Sequence, residues 1–166
     1  MPILTTESPT MRANLPLEDS TTAESTTGRV VVLVVTPSEI DHTVLRRIFS
    51  HCRWEVQCAR SIREASAILG HGVAAVVLSE ASLPDGNWKN LLNILDSVRT
   101  PNRLIVTSHH ADDFLWSEVL NLGGYDVLLK PFDPSEVFRV ISLAWRHLSD
   151  EVKRKPLVAT ASSRVA

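Results

Sequence analysis

A run of aliphatic residues from Val30 to Val35 constrains the fold of this chain more than any other feature of the sequence. The run is apolar without alternation and rich in β-branched residues, which is typical of a strand buried on both faces of a sheet. Helical patterns separate it from four further runs, which are Trp54–Ala59, Val73–Ser79, Arg103–Thr107 and Tyr125–Leu129. Strands that alternate with helices form right-handed crossovers and a parallel sheet. The sequence therefore predicts an α/β fold, a doubly wound (βα)5 domain whose five parallel strands lie between two layers of helices.

Capping patterns predict where three of the helices begin. The segments 36–39 and 133–136 each combine a side-chain oxygen at the cap, a proline at the first helical position and a glutamate three residues after the cap. Ser61, with Glu64 three residues later, forms a third such pattern. The expected caps are Thr36, Ser61 and Asp133, and the last helix is expected to extend from about Pro134 to Leu148.

The composition changes sharply near Arg29. Residues 1–28 are rich in Thr and Ser, contain three prolines and show no helical or strand periodicity, so we interpret them as a disordered leader. Residues 29–149 are predicted to form the folded domain, and residues 150–166 a flexible basic tail. Cys52 and Cys58 match no metal-binding spacing and are expected to be free thiols.

Charge and hydropathy exclude several classes of function. A net charge of −2 argues against binding of nucleic acid by the whole domain, because phosphate contacts need a surplus of Lys and Arg. The amino terminus has no cationic segment followed by an apolar one, as a secretory signal would, and no apolar run approaches the length of a membrane span. We therefore expect a cytoplasmic protein that does not act at a membrane.

Three segments lie where predicted parallel strands end, at the edge of the sheet that holds ligand sites in open α/β folds. They are the segments 78–86, 105–108 and 128–132, and they contain Glu80, Thr107 and Lys130. Their order and spacing resemble the response-regulator receiver domain of bacterial two-component signalling. The resemblance covers about residues 29–149 and implies the flavodoxin-like, CheY-like three-layer sandwich.

The resemblance also implies roles for five positions. Receivers are phosphorylated on an Asp at the end of the third strand, with an acidic pair after the first strand that binds magnesium. Glu80 stands at the phosphoacceptor position, and Thr36 and Pro37 stand at the positions of the acidic pair. Thr107 and Lys130 match the residues that hold the phosphoryl oxygens. Because a proline side chain offers no ligand and Thr36 only a neutral hydroxyl, we expect magnesium binding to be lost and no cofactor to be bound.

Two interpretations of Glu80 remain open at this level. Its carboxylate could engage Lys130 and Thr107 without phosphorylation and hold the domain in one signalling state. Alternatively, Glu80 is a polar residue at a strand end that pairs with Lys130 only to satisfy both charges. Glu39 and Asp41 lie a turn further along, and we expect them to substitute for the acidic pair only if the start of the first helix unwinds. Val127 stands where the family often has an aromatic switch residue, which favours a fixed conformation.

Apolar residues on the last two predicted helices cover more than one buried stripe. The resemblance implies that helix 4, strand 5 and helix 5 form a surface for dimers or output partners, so Trp116, Leu120, Phe138 and Trp145 are the candidate partner surface. Packing of these side chains into the core is the alternative.

The sequence thus predicts a stand-alone receiver-like protein in two-component (phosphorelay) signal transduction, a pseudo-receiver that is not an enzyme. It is expected to act through protein contacts, with a histidine kinase or an output protein as partner and with a homodimer as a further possibility. The alternative is a receiver that accepts a phosphoryl group at an unusual residue, namely Glu80, Asp85 or Ser79. Flavin or nucleotide binding is disfavoured because the segment 36–39 contains no glycine and places a carboxylate where a phosphate would lie.

Overall fold

The computed structural model describes residues 29–155 as seven strands and five helices. The strands are β1 (Val30–Val35), β2 (Trp54–Ala59), β3 (Val76–Glu80), β4 (Ser82–Leu83), β5 (Gly86–Asn87), β6 (Arg103–Ser108) and β7 (Asp126–Leu129). The helices are α1 (Glu39–Phe49), α2 (Ile62–His71), α3 (Trp88–Ser97), α4 (Asp113–Leu122) and α5 (Pro134–Arg154).

Five of the strands form one parallel sheet in the order β2-β1-β3-β6-β7, while β4 and β5 form a separate hairpin. Alternate residues of β1 face opposite sides of this sheet. Leu33 and Val35 pack with α2, α3 and α4, whereas Val32 and Val34 pack with α1 and α5. Each fully buried aliphatic side chain of these two cores contributes roughly 1.5–3 kcal/mol. The predicted doubly wound, three-layer α/β fold is confirmed.

The helix caps agree with the sequence at α2 and α5 but not at α1. Ser61 accepts a hydrogen bond from Glu64 N, and Asp133 accepts one from Glu136 N. The cap of α1 is Ser38, whose Oγ accepts from Asp41 N, so the prediction of Thr36 as the cap is wrong. The hydroxyl of Thr36 instead contacts Glu80, Asp41 and the backbone N–H of Ser38.

Three larger differences concern β3, the hairpin of β4 and β5, and α5. β3 begins at Val76 rather than Val73, which is 58% exposed and precedes the strand. The hairpin of β4 and β5 was not predicted, because strands of two residues show no periodicity. Helix α5 continues to Arg154, so the tail expected from residue 150 begins as helix. Glu151 explains the extension, since it pairs with Arg103 of β6 and with Lys155 one turn later.

The predictions for the leader (1–28) and for residues 156–166 lie outside the described residues. Within residues 29–155, no helix combines the length and the apolar character that a membrane crossing requires.

Candidate functional site

The candidate site lies at the carboxyl edge of the sheet, where four neighbouring strands end. Glu80 is the last residue of β3 and pairs in register with Thr107 of β6. Thr36 follows β1, and Lys130 follows β7. Because these strands are parallel, their carboxyl ends meet at one edge, and polar residues far apart in sequence come together there.

Two partners hold the carboxylate of Glu80. Its Oε2 accepts a hydrogen bond of 2.7 Å from the hydroxyl of Thr36, and its Oε1 lies 3.1 Å from Nζ of Lys130. Thr36 and Lys130 are buried, with 3% and 4% of their surface exposed. The Thr36 hydroxyl also accepts from the backbone N–H of Ser38, so its single proton is directed towards Glu80. The carboxylate is therefore held by a hydroxyl on one oxygen and by an ammonium group on the other.

Asp41 supplies a second carboxylate to the same site. Its Oδ2 lies 2.5 Å from Nζ of Lys130 and 3.4 Å from the hydroxyl of Thr36. Asp41 reaches the site with α1 intact at this residue, so no unwinding is needed to bring its carboxylate to the strand ends. Side chains of a helix lean towards its amino terminus, which directs an acid in the first turn back to the strand ends. Two carboxylates and one ammonium give the cluster a formal charge of −1.

The positions that the resemblance assigns to an acidic pair are occupied differently. Pro37 is exposed at the surface and offers no polar side-chain atom. Thr36 contributes the hydroxyl described above. Thr107 is 3% exposed, and its backbone oxygen accepts from Ala81 N at 2.9 Å. Within residues 29–155, no hydrogen bond joins the Thr107 hydroxyl to Glu80 or Lys130, so Thr36 occupies the place that sequence reasoning gave to Thr107.

Ser79 and Asp85, the other two candidate phosphoacceptors, are both engaged in hydrogen bonds. Ser79 is fully buried, and its hydroxyl donates to the backbone oxygen of Glu80 at 3.0 Å. Asp85, in the turn between β4 and β5, accepts from the backbone N–H groups of Ile62 and Arg63 with its two oxygens. These hydrogen bonds, that of Ile62 first, hold the pKa of Asp85 below its ordinary value. Asp85 thus ties the hairpin to the amino terminus of α2.

The residues predicted to form one partner surface lie on two different parts of the molecule. Trp116 and Leu120 are 48% and 38% exposed on α4, and the indole N–H of Trp116 donates to Asp126 of β7 at 3.1 Å. Phe138 and Trp145 of α5 instead lie beside the opposite edge of the sheet. There the ring of Phe138 stacks on Trp54 of β2, with centroids 5.3 Å apart, and the half-buried Trp145 lines a cavity with Trp54. Sequence periodicity could not reveal this division, because it depends on contacts of α5 with a distant strand.

Val127, at the position where the family often has an aromatic residue, is buried in the core beneath α4. A β-branched side chain in a packed core has a single preferred rotamer. This position therefore holds a fixed apolar contact between β7 and α4.

The strand order, together with acidic, hydroxyl and lysine side chains at the carboxyl edge, defines an α/β signalling domain of the flavodoxin-like class. The family model of the response regulator receiver domain matches residues 32–142. The chain belongs to this family, and the predicted membership in two-component signalling is confirmed.

Individual relatives agree with this assignment. Over 132 residues, or 78% of the chain, it is 23% identical to the response regulator protein PilR of Pseudomonas aeruginosa, and it spans 29% of the length of that relative. The signal receiver domain of an HD domain-containing protein from Pseudomonas fluorescens is similar in structure, with a TM-score of 0.69 and 25% identity. That match covers 76% of the chain and 93% of the solved structure. A CheY-like receiver domain from Methanospirillum hungatei has a TM-score of 0.68 at 20% identity, over 74% and 98% of the two chains, and supports the fold.

Proposed function

We propose that this protein is a pseudo-receiver, a cytoplasmic two-component signalling module that acts through protein contacts and neither requires phosphoryl transfer nor acts as an enzyme. The observation that carries the proposal is the position of the Glu80 carboxylate between Thr36 and Lys130. Glu80 brings a negative charge one methylene further into the site than an Asp would. A receiver gains negative charge at this position when it is phosphorylated. The Glu80 side chain supplies part of that charge permanently.

The charge of the site argues for one fixed state. A phosphoryl group carries about −1.5 to −2 at neutral pH, against −1 for Glu80 alone. Asp41 adds a second negative charge within 2.5 Å of Lys130, so the ammonium group has both of its counter-ions inside the chain. Charge-assisted contacts of this kind are shorter and stronger than neutral hydrogen bonds. Lys130 is accordingly held by this pair of carboxylates and needs no incoming anion.

Phosphorylation at an unusual residue is the alternative function, and the geometry of all three candidate acceptors disfavours it. An attacking oxygen must be exposed and must have a lone pair available to the phosphodonor. Ser79 is buried beneath the strand end, while Asp85 uses both oxygens to cap α2. Glu80 itself is 22% exposed and bound on both oxygens.

The residues at the site do not fit the magnesium ion of the family, and we propose that magnesium binding is lost. Magnesium requires an octahedron of hard oxygen ligands and is held in proteins by carboxylates and water. The two carboxylates at the site, Asp41 and Glu80, share the ammonium group of Lys130, which lies 2.5 and 3.1 Å from their oxygens. A divalent cation between the two carboxylates would be repelled by the ammonium group of Lys130 and would have to displace it.

The test of the proposal is incubation with a small phosphodonor and magnesium, followed by intact mass measurement. We expect no added phosphoryl group on the natural chain. The matched control is Glu80→Asp combined with Thr36→Asp and Pro37→Asp, which restores the family pattern and is expected to be phosphorylated under the same conditions. Stoichiometric phosphorylation of the natural chain would overturn the proposal.

The partner surface belongs in this proposal to α4 and β7. Five large apolar side chains are exposed there: Phe114, Trp116, Leu120, Leu122 and Leu129. A contiguous exposed apolar patch is typical of a protein interaction site. The candidate partners are a histidine kinase, an output protein and a second copy of the chain. Affinity capture with the natural chain as bait detects the first two.

Two comparisons test this surface. Trp116→Ala with Leu120→Ala should abolish partner capture, or lower the sedimentation coefficient if the partner is a second copy, while Phe138→Ala should leave both unchanged. Glu80→Gln should weaken partner binding if the carboxylate stands in for a phosphoryl group, whereas Glu55→Gln, the same exchange at an exposed position of β2, should not. Equal binding by Glu80→Gln and the natural chain would mean that Glu80 only satisfies Lys130.

A further inference from the structure

The amino-terminal end of the sheet carries an aromatic and cationic surface that the receiver site does not use. Two adjoining cavities share Trp54, one lined also by Arg29 and Arg53 and the other by Trp145 and Lys153. The half-exposed ring of Phe138 stacks on Trp54, the residue that both cavities share. We name this surface the Trp54 face, and its residues are Arg29, Arg53, Trp54, Phe138, Trp145 and Lys153.

The cations that define the Trp54 face are not ion-paired within residues 29–155. Arg29, Arg53 and Lys153 are exposed and form no ion pair with another described residue, whereas Arg60, Lys89 and Arg103 are each paired with a glutamate. Arg146 lines the second of these cavities and raises the number of cations to four, against two carboxylates, Glu55 in the first cavity and Asp150 in the second. The local surplus is thus two positive charges, and a ligand for this face should be acidic and partly apolar.

The segment that precedes Arg29 has this chemistry. Residues 1–28 contain four carboxylates and one arginine, a net charge of −3. Within this segment, Leu15-Pro16-Leu17-Glu18-Asp19 places two leucines beside two carboxylates. Proline-containing extended segments commonly bind grooves lined by aromatic rings, and the carboxylates match the cationic rim.

The connection between the segment and the face is short. Val30 pairs in register with Trp54, so residues 1–28 join the domain at Arg29, itself a member of the face. Asp19 lies ten residues before Arg29 and can reach at most about 33–36 Å from it. The face extends along α5 from Phe138 to Lys153, about 22 Å of helix. Residues 15–19 can therefore reach every part of it.

Tethering makes even a weak contact significant. Covalent attachment through a short linker gives an effective concentration on the order of millimolar, so a segment that binds with a dissociation constant of about 1 mM when detached would occupy the face about half of the time. We propose that residues 15–19 bind the Trp54 face of their own chain, as an acidic internal ligand. The contact is at the opposite end of the strands from Glu80 and does not depend on the proposed function.

Fluorine NMR of the full chain containing 5-fluorotryptophan tests the proposal. The chain has four tryptophans, of which Trp54 and Trp145 belong to the face while Trp88 and Trp116 lie elsewhere and serve as internal controls. Glu18→Lys with Asp19→Lys should shift the resonances of Trp54 and Trp145 and leave the other two in place. The matched control, Glu7→Lys with Glu24→Lys, changes the net charge equally but keeps residues 15–19, and its effect should be clearly smaller.

Three results of this experiment would overturn the proposal. The first is that the resonances of Trp54 and Trp145 do not shift in Glu18→Lys with Asp19→Lys. The second is an equal response to both double reversals, which would show a general effect of charge. The third is a response that varies with protein concentration, which would assign the face to a second copy of the chain.

A cross-linking experiment gives an independent measurement. Cys52 lines the cavity beside Trp54, whereas Cys58 lines a different cavity beside α1, and both are partly exposed. Leu17→Cys with Cys58→Ser should form an intramolecular disulfide under mild oxidation about tenfold faster than Leu17→Cys with Cys52→Ser, because of the two natural cysteines only Cys52 lines a cavity of the Trp54 face. Equal rates for the two variants would contradict binding of residues 15–19 at this place.

Discussion

Removing the two carboxylates beside Lys130 together should cost more stability than the sum of the two separate removals. The side chains of Lys130, Asp41 and Glu80 are 2%, 15% and 22% exposed, so the ammonium group is buried between two partly buried acids. In Asp41→Asn or Glu80→Gln, Lys130 keeps one carboxylate, and the amide oxygen still accepts a hydrogen bond. We expect each single change to cost about 1 kcal/mol of unfolding free energy.

The double variant leaves a buried ammonium group without any counter-ion. Breaking a buried ion pair in this way costs about 3–5 kcal/mol, so the coupling free energy between the two substitutions should be about 1–3 kcal/mol. Adding Lys130→Met to the double variant should restore much of the lost stability, because no charge then remains at the site.

Urea unfolding at neutral pH, followed by tryptophan fluorescence and far-UV circular dichroism, measures these free energies. The control is Glu118→Gln, which breaks the ion pair with Lys89. Lys89 is 45% exposed, so this change should cost less than about 1 kcal/mol. Additivity of Asp41→Asn and Glu80→Gln to within about 0.5 kcal/mol would refute the reasoning, since it would mean that solvent, rather than the carboxylates, stabilises Lys130.

Three further predictions concern groups outside this cluster. Asp85→Asn should lower the free energy of unfolding at neutral pH. The difference in stability from the natural chain should vanish as the pH falls from 3.8 through the lowered pKa of Asp85 in the folded state. Denaturant unfolding curves of both proteins at neutral and acid pH measure it. Burial, aided by a nearby acid, raises the pKa of Tyr125, so ultraviolet titration of this single tyrosine should give a midpoint above 10.0, and a midpoint at or below that value would contradict the effect of burial. Phe138→Ala should lose about 0.5–1.5 kcal/mol of stacking with Trp54, while the matched change at Phe114, 77% exposed, should leave the unfolding midpoint unchanged.

The sequence was most informative about elements with a long apolar pattern. β1 and β2 have the predicted bounds, and the order of strands and helices follows from their alternation. The hairpin of β4 and β5 could not be predicted because two-residue strands depend on the loop around them. The end of α5 was also missed, since its last turn is held by the pairing of Glu151 with a distant strand.

The site was predictable in its location but not in its contacts. The carboxyl ends of parallel strands converge in any such sheet, so Glu80 and Lys130 had to lie near each other. The contribution of Asp41 depends on the direction of a side chain in the first turn of α1, and that of Thr36 depends on Ser38 acting as the cap. Both follow from a shift of the helix start by two residues, which the capping pattern does not resolve because Thr36, Ser38 and Glu39 all carry side-chain oxygens.

The burial of Lys130 also has a chemical consequence. An ammonium group enclosed by two carboxylates is shielded from amine-reactive reagents and must be released by a local opening before it can be modified. The other lysines, Lys89, Lys153 and Lys155, are exposed and react without such an opening. The acylation rate of Lys130 relative to these three therefore reports how often the carboxyl edge of the sheet opens. The measurement uses the natural lysines and needs no introduced label.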